Sequence, residues 1–592
     1  MFHLENVLRV GSRGKSARSA LLAALLPAGL LMTPGAARAD VITDVNGYLL
    51  NIIQNTSPAL IDGPPNVARS IAMVQGAMFD AVNAANGSTY ASMYYTGGAV
   101  ANASADAAAL SAAYNTLNSI YGAGSLFDTY KGVTGATYFG GASPYANTIV
   151  GPTLTQYAAV TADIAAIGAQ LAALAASPQV TNGTALGAAA ASAMTTARNT
   201  DNGTAAMLST LTYTAPVGPQ APGVYIPPTA RPALEPAAGA VTPFVITAPA
   251  VTALTTANVP GPSALDSAAY ALQLLRTQCE GASVALSAGT AAACVAAGFT
   301  ASTSAQNVAA LYWNDPGGTY QPPGHLLQIA DAAASSQSLS LLQHAREDAL
   351  VGAAMSDAGA AAWVVKYADD RWRPITAIRD CNADWQTLNP NFTTCQANWN
   401  SLIATPPHPD YIAGHPAFTG AATTVLDNFF GTDNISFTVA SQAYCNGGAT
   451  TRNAAGDTIA CTVGATIYSI SNPGDCNNAA TEPVLNADFT ANTNYNGSPL
   501  ICPISETFSG FQAASSGDLG STLSRIFGGI HTPEAVFDAQ ALGSAIGQAV
   551  SNEANIPEPG TLALLAVSLV GLGVLRRRAI GAGNMVFDRL VC

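Results

Sequence analysis

Lysine occurs only three times in this chain of 592 residues, at Lys15, Lys131 and Lys366. The third begins the run Lys366-Tyr-Ala-Asp-Asp-Arg-Trp-Arg-Pro374, which places Arg373 seven residues further on. Two later segments belong with it. His408-Pro-Asp-Tyr-Ile-Ala-Gly-His-Pro416 contains Gly414 and His415, and Ser524-Arg-Ile-Phe-Gly-Gly-Ile-His531 contains Arg525 and His531. Taken alone, the first run also reads as a solvated helix face, because Asp369, Asp370 and Arg371 lie within it. Taken together, the segments offer one lysine, two arginines, two histidines and a glycine amide. That set suits a tetrahedral oxyanion, whose charge needs several fixed cations and N–H donors. The fold is therefore expected to bring three distant stretches of chain to one point.

Composition sets the context for such a pocket. Charged residues make up only 9% of the chain, the formal net charge is −14 and the pI is near 4.7. This balance argues against a nucleic-acid partner, so a basic pocket must be a local feature. Residues 1–39 read as a secretory signal peptide: Arg9, Arg13, Lys15 and Arg18 precede an apolar stretch from Ala20 to Met32, and Ala37-Arg38-Ala39 is a small-x-small cleavage site. Eight of the nine cysteines fall into near-neighbour pairs, Cys279/Cys294, Cys381/Cys395, Cys445/Cys461 and Cys476/Cys502, as local disulfides of an exported protein would. At the other end, Ile556-Pro-Glu-Pro-Gly560 precedes the apolar run Thr561–Leu575 and then Arg576-Arg577-Arg578. Residues 556–578 resemble a PEP-CTERM sorting segment of Gram-negative bacteria, in which a short apolar helix stops at a positive cluster. Fifteen apolar residues are short for a permanent span, which suits a transient, processed membrane anchor. Residues 579–592 remain an unassigned tail.

Between these ends the chain reads as mostly helical. Asn66–Ala84 places Val67, Ile71, Val74, Met78 and Val82 on one face, and Ala101–Tyr121 and Tyr157–Ala176 are similar. Residues 205–262 are rich in Pro, Thr and Gly without a period and read as a long loop. Leu265–Ala310 returns to helical spacing, interrupted by the first cysteine pair. A turn at 313–325 leads to a helix from His325 through His344, and Ser356–Tyr367 leads helically into the Lys366 run. Residues 380–405 read as a loop stapled by Cys381 and Cys395. Pro416 starts a helix through Phe430, which would put the Gly414 and His415 amides at a helix N-terminus, where anions bind. Residues 431–505 read as a cysteine-containing surface insertion. Helices resume at Gly517–Ile530 and Pro533–Glu553. No alternating strand pattern and no internal repeat stand out.

The order Lys-x6-Arg-Pro, Gly-His, Ser-Arg-x5-His resembles the type-2 phosphatidic acid phosphatase superfamily, and within it the bacterial vanadium-dependent haloperoxidases. Ala68–Asn83, Trp313–His325 and Trp372–Arg379 are in the same style, so the resemblance covers roughly residues 45–550, with gaps. It implies a mainly α helical bundle, residues 40–553, with the site at its centre. It further implies that Lys366, Arg373, Arg525 and the Gly414 amide bind vanadate or phosphate. His531 would ligate vanadium through a ring nitrogen, or become phosphorylated in a phosphatase, and His415 would be the acid–base group. His408 falls where bromide- and iodide-type members carry histidine, and Trp363 and Pro406 fall near the halide side; His325 and Asp357 follow the family wording without an assigned role. The family usually has serine where this chain has Ala413.

Three functions follow as expectations. The first is an exported vanadate-dependent peroxidase oxidising halide, bromide or iodide rather than chloride, with hydrogen peroxide. The second is an acid phosphatase of the same fold, using a phosphohistidine at His531. The third is a non-catalytic cell-surface or matrix protein, suggested by the sorting segment and by Ala413. In each case the export and C-terminal sorting machinery would be partners, and the location would be the periplasm, outer surface or extracellular matrix.

Overall fold

The structure, a computed structural model, describes residues 40–214, 216, 220–228, 231–444, 451–452, 458–460 and 503–554. The expected signal peptide, the pairs Cys445/Cys461 and Cys476/Cys502, the sorting segment 556–578 and the tail 579–592 lie outside the described residues. Among the described residues no helix is long and apolar enough to cross a membrane.

The architecture is a helical bundle. Nine helices carry the argument: α1 (Val41–Thr56), α2 (Pro64–Ala85), α3 (Ala105–Tyr121), α4 (Pro178–Arg198), α5 (Gln321–Gln337), α6 (Leu341–Asp369), α7 (Gly414–Phe430), α8 (Ser521–Phe527) and α9 (Pro533–Glu553). Their ends follow local chemistry. Asp40 accepts from the amides of Ile42 and Thr43 to start α1. Ser340 and Gln343 form a reciprocal capping box at the start of α6, and Asp370 ends it in a left-handed conformation.

The 29-residue helix α6 is the axis of the bundle. From Ala345 to Trp363 nearly every side chain is buried, as expected of a helix surrounded by others. It packs on α2 at one side and on α7 at another, and α7 packs along α9. One continuous apolar core runs from Ile42 in α1 to Val550 in α9. A second, smaller core of Tyr270, Leu274, Trp372, Trp385, Phe392 and Trp399 lies under the loops held by Cys279–Cys294 and Cys381–Cys395, both of which are disulfides.

Five expectations need correction, the first being that residues 380–405, expected as a loop, contain the short helix Ala383–Leu388. The helix expected from His325 through His344 is two: α5 stops at Gln337, Ser338 takes φ +53°, and Ser340 caps a new helix, so His344 belongs to α6. The expected loop 205–262 contains most of the helix Gly203–Thr212 and the helix Ala248–Asn258, the latter started by Thr247 accepting from the Ala250 amide. The helix expected at Gly517–Ile530 is only Ser521–Phe527, bounded by Gly520 and Gly528. The insertion at 431–505 is rooted in an antiparallel pair, β1 (Phe437–Tyr444) with β2 (Pro503–Phe508), in register Phe437↔Phe508 and Val439↔Glu506. Phe437, Val439, Ile504 and Phe508 point into the core, an alternation too short to stand out in sequence and completed only by a partner some sixty residues away.

The α7–α9 contact depends on small residues. A Cβ on Gly543 would lie 2.2 Å from the Ala417 carbonyl oxygen, and one on Gly547 2.5 Å from that of Ala421. Gly543→Ala should therefore destabilise the protein. Its helix-propensity gain is about 1 kcal/mol, but overpacking against backbone costs about 1–3 kcal/mol and here forces the helices apart. Thermal unfolding should show a lower midpoint; an equal or higher one would contradict the close crossing.

Candidate active site

The three cationic segments converge as the motif requires. Lys366 stands in the last turn of α6, fully buried, and its Nζ donates to the carbonyls of Pro409 (2.9 Å) and Asp410 (3.4 Å). Arg373 is the buried residue preceding the short helix Pro374–Arg379 and ties the other two segments together. Its Nε donates to the His408 carbonyl (2.6 Å), its Nη1 to the Ile530 carbonyl (2.7 Å) and towards His531 Nε2 (3.0 Å), and its Nη2 to His408 Nδ1 (2.9 Å). Arg525, on α8, donates to the Trp313 carbonyl and approaches His415 Nε2 at 3.3 Å. His415 lies in the first turn of α7.

Gly414 opens α7, so its N–H is one of the first-turn amides with no acceptor inside the helix. A side chain there would meet the Trp363 ring at 3.1 Å, so glycine is also what lets α7 start this close to α6. Ala413 is the N-cap residue of α7 and makes no side-chain cap bond.

Two carboxylates complete the site, and the sequence reading left both without a role. Asp410 Oδ1 lies 2.6 Å from His531 Nδ1, and its Oδ2 accepts from Thr532 Oγ1 at 2.8 Å. The His531 proton is therefore assigned to Nδ1, facing the carboxylate, which leaves the Nε2 lone pair on the side of Arg373. Asp315 lies between two histidines, 3.1 Å from His325 Nδ1 and 4.0 Å from His415 Nε2. The available signal was position: Asp410 is the only acid in the His408–Pro416 segment, and Asp315 stands in the Trp313–His325 stretch already singled out. Asp357 accepts from the amides of Phe244 and Val245 and so anchors a loop away from these residues.

A cavity of about 560 Å³ opens onto this cluster. Trp363, Pro406, His408, Gly414, His415 and Phe418 are among the residues that line it, whereas Lys366, Arg373, Arg525 and His531 are buried and do not line it. The His408 ring lies 5.1 Å from the Trp363 ring and 6.3 Å from that of His531.

Burial and crowding of like charge set the protonation. His408, His415 and His531 are held well below the ordinary imidazole value. Burial is the largest cause for each; Lys366 and Arg373 add to it for His408, Arg525 for His415, and Arg373 and Lys366 for His531. Lys366 is pushed well below its ordinary value by burial and by Arg373, and burial brings Arg525 down to about 9. Asp410 is raised to about 6 by burial, against the pull of Arg373. An imidazole whose Nε2 lone pair faces Arg373, three buried basic side chains and a helix-start amide are a set that vanadate or phosphate would fit chemically.

Residues 347–556 match the family described as the VCPO second helical-bundle domain, and residues 555–578 match the PEP-CTERM protein-sorting motif. A stretch of 142 residues is 29% identical to the vanadium chloroperoxidase of Curvularia inaequalis, covering 21% of this chain and only 23% of that protein. The crystal structure of the first bacterial vanadium-dependent iodoperoxidase superposes with a TM-score of 0.53 at 18% identity, over 87% of this chain and 96% of that one. An apo-type bacterial vanadium-dependent chloroperoxidase gives 0.50 at 13% identity, over 83% and 94%. The fold is thus the helical bundle of the vanadium haloperoxidases. Residues 347–556 are similar to the VCPO-type helical-bundle domain, and the chain carries a PEP-CTERM motif, which implies export to the cell surface of a Gram-negative bacterium.

The protonation pattern is testable. With ring-labelled histidine, the NMR shifts of His408, His415 and His531 should keep the neutral pattern at pH 6, below the ordinary value of 6.5. A protonated pattern for any of them at that pH would contradict the buried, cation-crowded setting. Because the folded state depresses these values, the stability they contribute is complete above 6.5 and is lost as pH falls, when the unfolded chain binds more protons.

Proposed function

We propose that this protein is an exported vanadate-dependent haloperoxidase that oxidises bromide or iodide with hydrogen peroxide. The observation that carries the reading is His531: Asp410 holds its Nδ1, its Nε2 faces Arg373 Nη1 at 3.0 Å, and the charges of Lys366 and Arg525 also act on the ring. Bound vanadate would supply a Lewis-acidic centre that activates peroxide without changing its own redox state. His531 Nε2 would ligate it, with Asp410 fixing the ring tautomer in the way that carboxylates support metal-bound histidines. Lys366, Arg373, Arg525 and the Gly414 amide would neutralise and orient the anion's oxygens.

His415 is the proposed acid–base group. It faces the cavity, and its depressed value keeps it neutral, ready to take a proton from incoming peroxide. Asp315, 4.0 Å from its Nε2, and Arg525, 3.3 Å from it, then set how readily that proton leaves. His408, its ring tilted against that of Trp363 and lining the cavity with Pro406, forms the proposed halide side.

Vanadate and phosphate are alike in shape, so the same residues would serve a phosphatase, and the test must separate the two. Protein loaded with vanadate should consume peroxide only when bromide or iodide is present, and the vanadate-free protein should not hydrolyse phosphate esters at a comparable rate. Ester hydrolysis that vanadate inhibits, with no halide-dependent peroxide consumption, would overturn the proposal in favour of the phosphatase. His531→Ala should abolish turnover and weaken vanadate binding by more than tenfold, roughly the loss expected when a ligand or its support is removed; unchanged turnover would remove the site assignment.

Ala413→Ser adds one hydroxyl at the N-cap of α7. A neutral donor to a charged acceptor contributes about 1–3 kcal/mol, so vanadate affinity should rise roughly tenfold or more. Because a serine N-cap also supports the helix by about 1 kcal/mol, the midpoint of the vanadate-free protein should hold or rise slightly. Titration of both proteins with vanadate decides this; equal or looser binding by the serine variant would mean that position 413 does not face the anion.

A further inference from the structure

The other end of α6 carries a second buried cluster, of opposite sign. His344 is surrounded by Asp40, Asp331 and Asp348, with Glu347 adjacent. Its Nδ1 lies 2.9 Å from Asp40 Oδ2, while its Nε2 lies 3.1 Å from Asp331 Oδ1 and 3.6 Å from Asp348 Oδ2. The Asn46 amide donates to Asp331 Oδ1 at 2.8 Å and to Asp348 Oδ2 at 2.7 Å. Helix turns and caps thus aim three carboxylates at one imidazole in the interior, with the Glu347 carboxyl on the same helix nearby.

We propose that Asp331, His344 and Asp348 bind a divalent first-row cation, of the Mn²⁺ or Zn²⁺ kind. The ligand atoms of these three residues all lie within 4.8 Å of one another. The Nε2–Oδ separations of 3.1 and 3.6 Å are those of neighbouring ligands around one ion; metal–ligand bonds of roughly 2.1 Å put adjacent donors about 3.0–3.5 Å apart. Asp40 supplies what a metal-bound histidine needs behind it, a carboxylate on Nδ1 that leaves Nε2 free to ligate. Asn46 orients both aspartates in the same supporting way.

A second observation points to a cation rather than to a closed hydrogen-bond network. The second oxygen of Asp348 and both oxygens of Glu347 are buried with no hydrogen-bond partner, and both residues are fully buried. Such groups are costly in a protein interior unless a charge compensates them. One imidazolium balances a single carboxylate, whereas a divalent cation on Nε2 would balance both Asp331 and Asp348. Asp331, with 15% of its side chain exposed, gives the ion a route in. The ion would join α1, α5 and α6 at the end of the bundle opposite Lys366. Its role is thus structural, and it does not depend on what the Lys366 end of the helix catalyses.

The test uses the untagged, chelator-stripped whole protein with Mn²⁺ and Zn²⁺ as probes. Calorimetry and the Mn²⁺ EPR signal should report one bound ion per chain, and the thermal midpoint should rise on loading. Asp331→Asn and Asp348→Asn should weaken binding by roughly ten- to a hundredfold, while His531→Ala, at the distant site, should bind as the unmodified protein does. Circular dichroism checks that the variants fold. If either fails to fold, the unmodified protein still decides: no stoichiometric binding of either ion would overturn the proposal and leave a proton as the bridging charge. Equal affinity in folded Asp348→Asn, or binding lost in His531→Ala instead, would overturn it as well.

Discussion

Packing positive charges together in a dry interior is the constraint on which the rest of this structure depends. Each ion removed from water costs several kcal/mol unless its hydrogen-bonding groups are satisfied. The protein meets that cost with backbone oxygens: Lys366 uses the carbonyls of Pro409 and Asp410, Arg373 those of His408 and Ile530, and Arg525 that of Trp313. The segments that supply those carbonyls are the motif segments themselves or their neighbours. Positioning the cations and positioning the loops are therefore one problem, solved by the same bonds.

That arrangement explains the scaffold around it. Helix α6 delivers Lys366 from its C-terminal turn, α7 presents the Gly414 amide from its N-terminus, and α8 delivers Arg525. Close backbone contact between α7 and α9, permitted by glycine, fixes where α7 begins and hence where Gly414 and His415 stand. The same long helix carries the acidic His344 cluster at its other end, so one axis of the bundle holds two charge centres of opposite sign.

Much of the site was legible because its chemistry is concentrated in rare residues. With three lysines and six histidines in the chain, Lys366, His415 and His531 stood out against an Ala-rich background, and the structure brings them together. Asp410 and Asp315 did not stand out, because an acid's role as a support for histidine appears only when the loops close and their carboxylates meet His531 and His415. The helical class was readable from three- and four-residue spacing in α2 and from the cap residues. The break at Ser338 was not, since a single left-handed serine between two good helical patterns leaves no compositional mark. The β1–β2 pair escaped for a related reason: each strand buries only two of the four inward side chains, and its partner lies across the whole insertion.

The central claim is that one oxyanion binds among Lys366, Arg373 and Arg525 with His531 Nε2 bonded to its central atom. Crystals grown with orthovanadate and measured for anomalous scattering would test it most directly. The account predicts a single vanadium position bonded to His531 Nε2, with its oxygens contacted by all three cations and Asp410 still holding Nδ1. A vanadium position elsewhere, or none at saturating vanadate while His531 keeps its contacts to Asp410 and Arg373, would contradict it.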